Sequence, residues 1–466
     1  MEKRPRPGQP PGYDSGMPTR PPATAPFPLP TLAAGASGAL VVAFSGGLDS
    51  GVLLHRLANE PALRARGLRA VHVHHGLQAG ADDWAAHCRR QARALEVPLQ
   101  VMQVTVDRRS GLGLEAAARA ARYAALQATM AAGEVLATAH HLDDQAETFL
   151  LRALRASGAD GLGAMRPLRR FGTGWHWRPL LALPRLTLRA YADAHGLDWI
   201  EDPGNATPDP ERNFLRLQVL PLLRSRWPHA ATALARSAGL CAEADALLAQ
   251  EDARLLDAMQ VAGDRRSLHL PALLAAPAPR RARLLRRWLA GLDLPPLPAR
   301  GVEWIERDLV ASRADAQPAF AWSGARVLRW RQLLHADRVR APLPPHWSTT
   351  WDGRAPLPLP EGGCLSLHDA AGQAVAGFAL PVQVRARRGG ERIVLPGRSH
   401  SHALKHLLQE YGVPPWRRAQ LPLLADAQDR LLAAGDAIVS AELASWLQAR
   451  HWQLAWQAPG DCAAAR

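Results

Sequence analysis

Between residues 39 and 155, short apolar runs alternate with stretches whose apolar positions recur every three or four residues. ALVVAF precedes GVLLHRLANE, and LRAVHVHH precedes ADDWAAHCRRQARAL. LQVMQVTVD then precedes LEAAARAARYAALQATMAAG, and EVLATAHH precedes DDQAETFLLRALRAS. The apolar runs predict strands and the periodic stretches helices. Such alternation predicts an α/β fold, a parallel sheet with helices on both faces. Ligands of these sheets bind beyond the carboxyl ends of the strands. The polar clusters of this region fall at those ends or in the turns after them.

Further along, the pattern changes. AATALARSAGLCAEADALLAQEDARLLDAM and PRRARLLRRWLAGL predict a helical region over 226–345. Arg280, Arg283 and Arg287 share one face there, as a solvated stripe or as a phosphate-contacting one. APLPPHW and APLPLPEGG mark a boundary, and 346–466 mixes short strands and helices, an α+β pattern. Residues 33–225 form the α/β domain. Residues 1–32, rich in proline and without an apolar signal core, predict an extended, disordered tail. No apolar stretch is long enough to span a bilayer.

Charge adds a class of partner. The 56 basic residues exceed the 42 acidic ones, for a net charge of +14. The basic residues are almost all arginine; the lysines are Lys3 and Lys405. A positive surface favours polyanions, nucleic acid above all. Cys88, Cys241, Cys364 and Cys462 are scattered, without CxxC, so neither a zinc ribbon nor a disulfide framework is indicated. That usage fits a reducing cytoplasm.

Four clusters carry chemistry. In AFSGGLDSGVLL, two glycines permit close backbone approach to an anion, and the following helix aims its positive end at the same point. Ser45 and Ser50 add hydroxyl donors. Asp49 would repel a bare phosphate, so a metal or another polar partner is implied. The alternative is a plain glycine turn. In ATAHHLDDQAETFLLRALR, Asp143 and Glu147 share a helix face, with Asp144 and Thr148 beside them and His140 and His141 in the preceding turn. Carboxylates near a nucleotide suit Mg²⁺; acids that only favour the helix dipole are the alternative. Glu115, Arg119 and Arg122 form either a salt-bridge ladder or a cation face. Asp202 and Asn205 lie in a turn; Arg212 and Arg216, four apart with Asn213 between, read as phosphate contacts or as capping and surface pairing.

Ser45-Gly-Gly-Leu-Asp-Ser50 resembles the PP-loop of ATP pyrophosphatases, enzymes that cleave ATP to AMP and pyrophosphate. With VHVHHGLQ, EAAARAARY, ATAHHLDDQAETFLLRALRASGADGLGAM, RPLL and EDPGNATPDPERNFLR, it resembles the tRNA(Ile)-lysidine synthetases. GGERIVLPGRSHSHALKHLLQEYGVPPWRRAQLPLL and LLAAGDAIV resemble the distal domain of their long form. The likeness covers 35–220 and 380–440. Gln78 departs from it, standing where the family often has arginine.

The resemblance implies a ligase with substrates ATP, free L-lysine and an isoleucine tRNA bearing a CAU anticodon. Ser45, Gly46, Gly47, Leu48, Asp49 and Ser50 would hold ATP. Asp49 with Asp143 or Asp144 would place Mg²⁺, and His140 and Glu147 would orient nucleotide or lysine. Arg119, Arg122, Arg212 and Arg216 would meet phosphates. In the distal domain Arg385, Arg387, Arg388, Lys405, Arg417 and Arg418 would grip tRNA. Trp416 would stack on RNA or sit in a core. A homodimer is a candidate assembly. Two rival readings remain: a tRNA cytidine thiolase of the same superfamily, which the scattered cysteines disfavour, and an RNA-binding protein without catalysis.

Overall fold

The computed structural model describes residues 27–458, except 34, 77–79, 108–112, 208, 310–311 and 313–317. Gln78 lies outside the described residues, as do the side chains of Glu115 and Asn205. Two compact units divide the chain at residue 249.

The first unit runs β1 (Leu40–Ala43), α1 (Leu48–Ala58), α2 (Pro61–Arg64), β2 (Leu68–His74), α3 (Ala81–Ala94) and β3 (Leu99–Gln103). It continues with α4 (Leu114–Thr129), β4 (Val135–Ala137), α5 (Leu142–Ala153), α6 (Ala159–Leu162), β5 (Leu168–Phe171), β6 (Gly174–Trp177) and α7 (Arg185–Ala194). After a 3₁₀ turn come α8 (Glu211–Phe214), a π-helical turn (Leu215–Val219), α9 (Leu220–Arg226) and the long α10 (Ala230–Met259).

The sheet order is β3-β2-β1-β4-β6-β5. All neighbours are parallel except the β5–β6 hairpin. Alternation along β1 explains the two covered faces. Leu40 and Val42 enter one core with Val52, Leu54 and Leu188, while Val41 enters another with Val71, Leu126 and Leu136. A strand buried on both sides must be apolar throughout, as the sequence pattern required. Trimming the fully buried Leu136 to alanine leaves a void worth about 2–5 kcal/mol. The chain leaves β1 toward β2 on one side and β4 on the other, so a crevice opens beyond their carboxyl ends.

One boundary moves. The tail expected over 1–32 gives way to folded structure by Phe27, which is buried against Tyr191 with ring centroids 5.2 Å apart. Its carbonyl accepts a hydrogen bond from Arg56 Nε. The apolar surface of one aromatic ring outweighs the extended habit of its proline neighbours.

Residues 226–345, read from sequence as helical, also carry a five-stranded antiparallel sheet, which lies in the second unit. Its strands are Gln260–Val261, Asp264–His269, Ala319–Trp322, Ala325–Trp330 and Leu333–Arg338. Each has six residues or fewer, too short for alternation to stand out beside a 30-residue helix. Ser323 and Gly324, both at positive φ, make the tight turn of one hairpin. The distal part holds a second antiparallel sheet (Ser348–Trp351, Val382–Arg385, Leu423–Ala425, Leu431–Ala434, Ile438–Val439) over a core that includes Leu404, Leu408 and Leu443. Arg280, Arg283 and Arg287 form neither a solvated stripe nor a phosphate face. They converge on Asp252, a fully buried carboxylate, with Arg283 Nη2 at 2.8 Å. A buried anion needs such cations more than solvent does.

Candidate active site

The turn between β1 and α1 is built around two serines and a glycine. Ser50 Oγ donates to the Gly47 carbonyl at 3.0 Å, accepts the Ser45 N–H at 3.2 Å and lies 2.9 Å from Ser45 Oγ. The Gly46 carbonyl accepts from Ile200 N–H at 3.0 Å. Gly46 sits at φ +82, where a Cβ would come within 2.8 Å of both Trp84 Nε1 and Cys88 Sγ. Only glycine fits that conformation and that space. Gly47 caps α1 without a side-chain hydrogen bond, so no cap side chain satisfies the first-turn N–H groups, and the positive end of the helix dipole stands at the loop. Leu48 contributes its backbone; its side chain is buried in the core.

Asp49 follows at the start of α1 and points toward the end of β4. Its Oδ2 lies 3.8 Å from His141 Nε2 and its Oδ1 3.7 Å from Arg185 Nε. Oδ1 is buried and has no hydrogen-bond partner among the described residues. Burial raises the Asp49 carboxyl above the usual carboxylate range; His141 and Arg185 offset part of this.

The acids after β4 are held by a cap and by four arginines. His141 caps α5 reciprocally with Asp144: the Asp144 N–H donates to His141 Nδ1, and the His141 N–H donates to Asp144 Oδ2 at 3.1 Å. Asp143 accepts the Arg185 N–H at 2.9 Å and pairs with Arg224. Asp144 Oδ1 meets Arg216 Nη2 at 3.1 Å and Arg212 Nη2 at 3.4 Å. Glu147, one helical turn on, is fully buried; it accepts from Arg212 Nε at 2.8 Å and Arg216 Nε at 2.7 Å. Burial works against the Asp144 charge, yet His141 and Arg212 hold its carboxyl below the ordinary range. Arg212 stands in α8 just before the π-helical turn Leu215–Val219, and Arg216 lies within that turn.

Of the expected residues, the Ser45–Ser50 loop, Asp49, Asp143 and Asp144 come together through His141. Arg212 and Arg216, expected at phosphates, turn inward to Glu147 and Asp144. A carboxylate with no exposed surface demands bidentate cations. Glu147 itself is thus a support beneath the cluster. His140 points the other way from His141: its Nδ1 lies 2.8 Å from Thr138 Oγ1, which also meets His176 Nε2 at 2.8 Å. Burial pushes the His140 imidazole down to about 3, so it is neutral at physiological pH. Arg119 and Arg122 lie over the Tyr123 ring, at 5.0 and 5.8 Å, and burial with Arg122 nearby lowers His75. His141 was read from sequence only as part of the turn before α5, without a role, and Arg185 and Arg224 escaped that reading. The His-x-x-Asp spacing of a capping box was the available signal for the first; the two arginines had none.

In the second unit, Arg388 is exposed and Arg387 half-buried, with Glu391 3.9 Å from Arg387 Nε. Arg418 donates to the Val413 and Leu408 carbonyls, and Arg417 lies over the Trp456 ring at 5.0 Å. Trp416 is half-buried, stacked on His335 with centroids 4.0 Å apart and edge-on to Trp330. Arg385 is buried and bonds Asp429. Among the described residues no helix is long and apolar enough to cross a membrane.

Three family descriptions match successive segments: a PP-loop domain at residues 30–223, a TilS substrate binding domain at 268–335 and a TilS substrate C-terminal domain at 382–456. Full-length relatives agree. The tRNA(Ile)-lysidine synthase of Xanthomonas campestris pv. campestris (strain 8004) is 55% identical over 94% of this chain and 96% of its own. That of Xylella fastidiosa (strain Temecula1 / ATCC 700964) is 54% identical over 90% and 95%. That of Serratia proteamaculans (strain 568) is 44% identical over 91% and 96%. A solved TILS C-terminal domain aligns at 27% identity over 24% of this chain and 98% of that one, with a TM-score of 0.19. With three such domains in succession along it, and relatives 44–55% identical over nine tenths or more of its length, the chain belongs to the tRNA(Ile)-lysidine synthase family.

Proposed function

We propose that this chain joins L-lysine to the wobble cytidine of an isoleucine tRNA with a CAU anticodon, at the expense of ATP. The cytidine 2-oxygen attacks the α-phosphorus of ATP and pyrophosphate leaves. The lysine ε-amine then attacks C2, and AMP departs with that oxygen. Adenylation turns a poor leaving group into a good one, splitting one difficult step into two.

The observation that carries this reading is the Ser45–Ser50 loop, with its Asp49 facing His141 and Asp144, at the switch point of the sheet. The loop's N–H groups and hydroxyls suit the pyrophosphate side of ATP. The unbonded inner oxygen of Asp49 fits a cation brought in with the triphosphate. Mg²⁺ held there by Asp49 would neutralise charge on the departing pyrophosphate. Asp143, fixed by Arg224 and the Arg185 N–H, is available to such a cation only if it leaves those partners. Asp144 orients His141 beside Asp49, and Glu147 anchors the arginines that hold Asp144. The exposed Arg388, with Arg387, supports a phosphate contact from the distal domain. Against a sulfur-transfer reading stands Cys88. It is buried beside the loop and its thiol is pushed up to about 12, so it supplies no thiolate there.

The test is to incubate the protein with ATP, Mg²⁺, labelled lysine and the CAU-anticodon tRNA. Label in the tRNA, with AMP and pyrophosphate released in equal amounts, supports the reading. ATP-independent tRNA binding without incorporation, or sulfur incorporation instead, sinks it.

A further inference from the structure

Four arginines come near Asp49 and the acids of α5, and three of them are locked. Arg212 and Arg216 donate to Glu147 and Asp144, and Arg224 donates to Asp143. Arg185 differs. Its backbone is pinned beside the acids: its N–H donates to Asp143 Oδ2 at 2.9 Å. Two residues earlier, the Leu183 carbonyl accepts the N–H of Leu142, the first residue of α5, at 3.0 Å. The Arg185 side chain, by contrast, is 56% exposed, and among the described residues no hydrogen bond holds its guanidinium. Its Nε lies 3.7 Å from Asp49 Oδ1, an ion pair too long for a hydrogen bond. Such an exposed pair adds little to stability. The fold therefore fixes where Arg185 starts and leaves its charged end free to turn.

Asp49 stands in the first turn of α1, directly after the Ser45–Gly47 turn, so a triphosphate seated there comes beside this guanidinium. A planar fork of N–H donors suits phosphate oxygens. We propose that Arg185 is a catalytic residue of the adenylation step: as ATP binds, its guanidinium leaves Asp49 and donates to the phosphate oxygens that gain charge as pyrophosphate departs. The proposal rests on the ATP reading above. In that step the cytidine 2-oxygen bonds the α-phosphorus. The bond from that phosphorus to the bridging oxygen breaks, and its electron pair stays on the pyrophosphate. Arg185 keeps its proton throughout and stabilises the charge that builds on the leaving group. Its departure from Asp49 also frees that carboxylate for a cation. The other anion among the reactants is the carboxylate of lysine, which makes the lysine dependence a discriminating reading.

The test is single-turnover pyrophosphate release by Arg185→Ala, with ATP, Mg²⁺, lysine and the CAU-anticodon tRNA. The rate should fall about a hundred- to thousand-fold, the cost of removing one donor aimed at developing charge. The half-saturating concentrations of ATP and lysine should stay within about three-fold of wild type, because the contact strengthens in the transition state. Arg185→Lys, which keeps the charge and loses the fork, should recover part of the rate. Without ATP both variants should melt with wild type, and Mg-ATP should still raise the midpoint, since the loop and Asp49 remain. The proposal is overturned if Arg185→Ala keeps a rate within about three-fold of wild type, or if its loss falls on the half-saturating lysine concentration. It is equally overturned if excess Mg²⁺ restores the rate, which marks Arg185 as a support for Asp49, or if both variants melt well below wild type, which marks a structural role. A wild type that releases no pyrophosphate from ATP would overturn the ATP reading itself, whatever Arg185→Ala does.

Discussion

Replacing Glu147 by glutamine separates two roles that the same residue could hold. As a base or substrate contact, Glu147 would govern turnover and leave stability alone. The structure instead buries its carboxylate completely under Arg212 and Arg216. Removing one partner of a buried ion pair costs about 3–5 kcal/mol, because the other charge is left uncompensated. The two arginines keep 22% and 30% of their side-chain surface and still have Asp144, so the lower end applies, about 3 kcal/mol. For a unit of this size each kcal/mol moves the midpoint by about 2–4 °C, which gives a fall of about 6–12 °C. Differential scanning calorimetry reads it directly. Adding Arg216→Met should return part of the loss, with a coupling above about 1 kcal/mol in the double-mutant cycle. A midpoint within about 2 °C of wild type, together with abolished turnover, would refute the support role and restore Glu147 as a group acting on substrate.

Other outcomes follow from the same geometry. Asp49→Asn should end pyrophosphate release while leaving tRNA retention on a filter nearly unchanged. Gly46→Ala, which drives a Cβ into Trp84 and Cys88 and forces alanine to φ +82, should abolish the ATP-dependent rise in melting temperature. Native Cys88 should resist iodoacetamide at pH 8 and react only after unfolding, as a mass-spectrometric time course would show. His140 is depressed to about 3 in the folded state against an ordinary value near 6.5. The unfolded chain therefore takes up its proton first. Stability from this group is complete above pH 6.5 and declines as pH falls toward 3, and His140→Asn should flatten that part of a urea-stability profile. Arg387→Ala with Arg388→Ala should weaken tRNA binding and reduce the slope of its logarithm against log salt by up to about 2.

The first half of the fold was legible because its signals were local. VVAF, the two glycines and the following periodic run each announced strand, turn and helix from neighbouring residues alone. What joins separate segments was not. Arg212 and Arg216 declared a shared helix face, but their carboxylate lies 65 and 69 positions back. Of two adjacent histidines, backbone geometry sends one to cap α5 and the other under it, and the dipeptide reads alike either way. The second-unit sheet hid in strands of six residues or fewer, and Asp252 gave no hint of three arginines because nothing in QEDARLL distinguishes a buried acid from a solvated one. Phe27 was lost in proline composition.

The chain order of the ion pairs bears on how the protein is made. Asp143, Asp144 and Glu147 draw their cations from Arg212, Arg216 and Arg224. Synthesis delivers the loop and all three acids well before the last of these. A nascent chain that ends before residue 212 has the SGGLDS turn and the strands beside it, but no counterion for the Glu147 carboxylate. α5 can settle with its acids buried only after the residues up to 224 have left the ribosome. The segment that locks the acid cluster in place emerges only after every strand of the sheet.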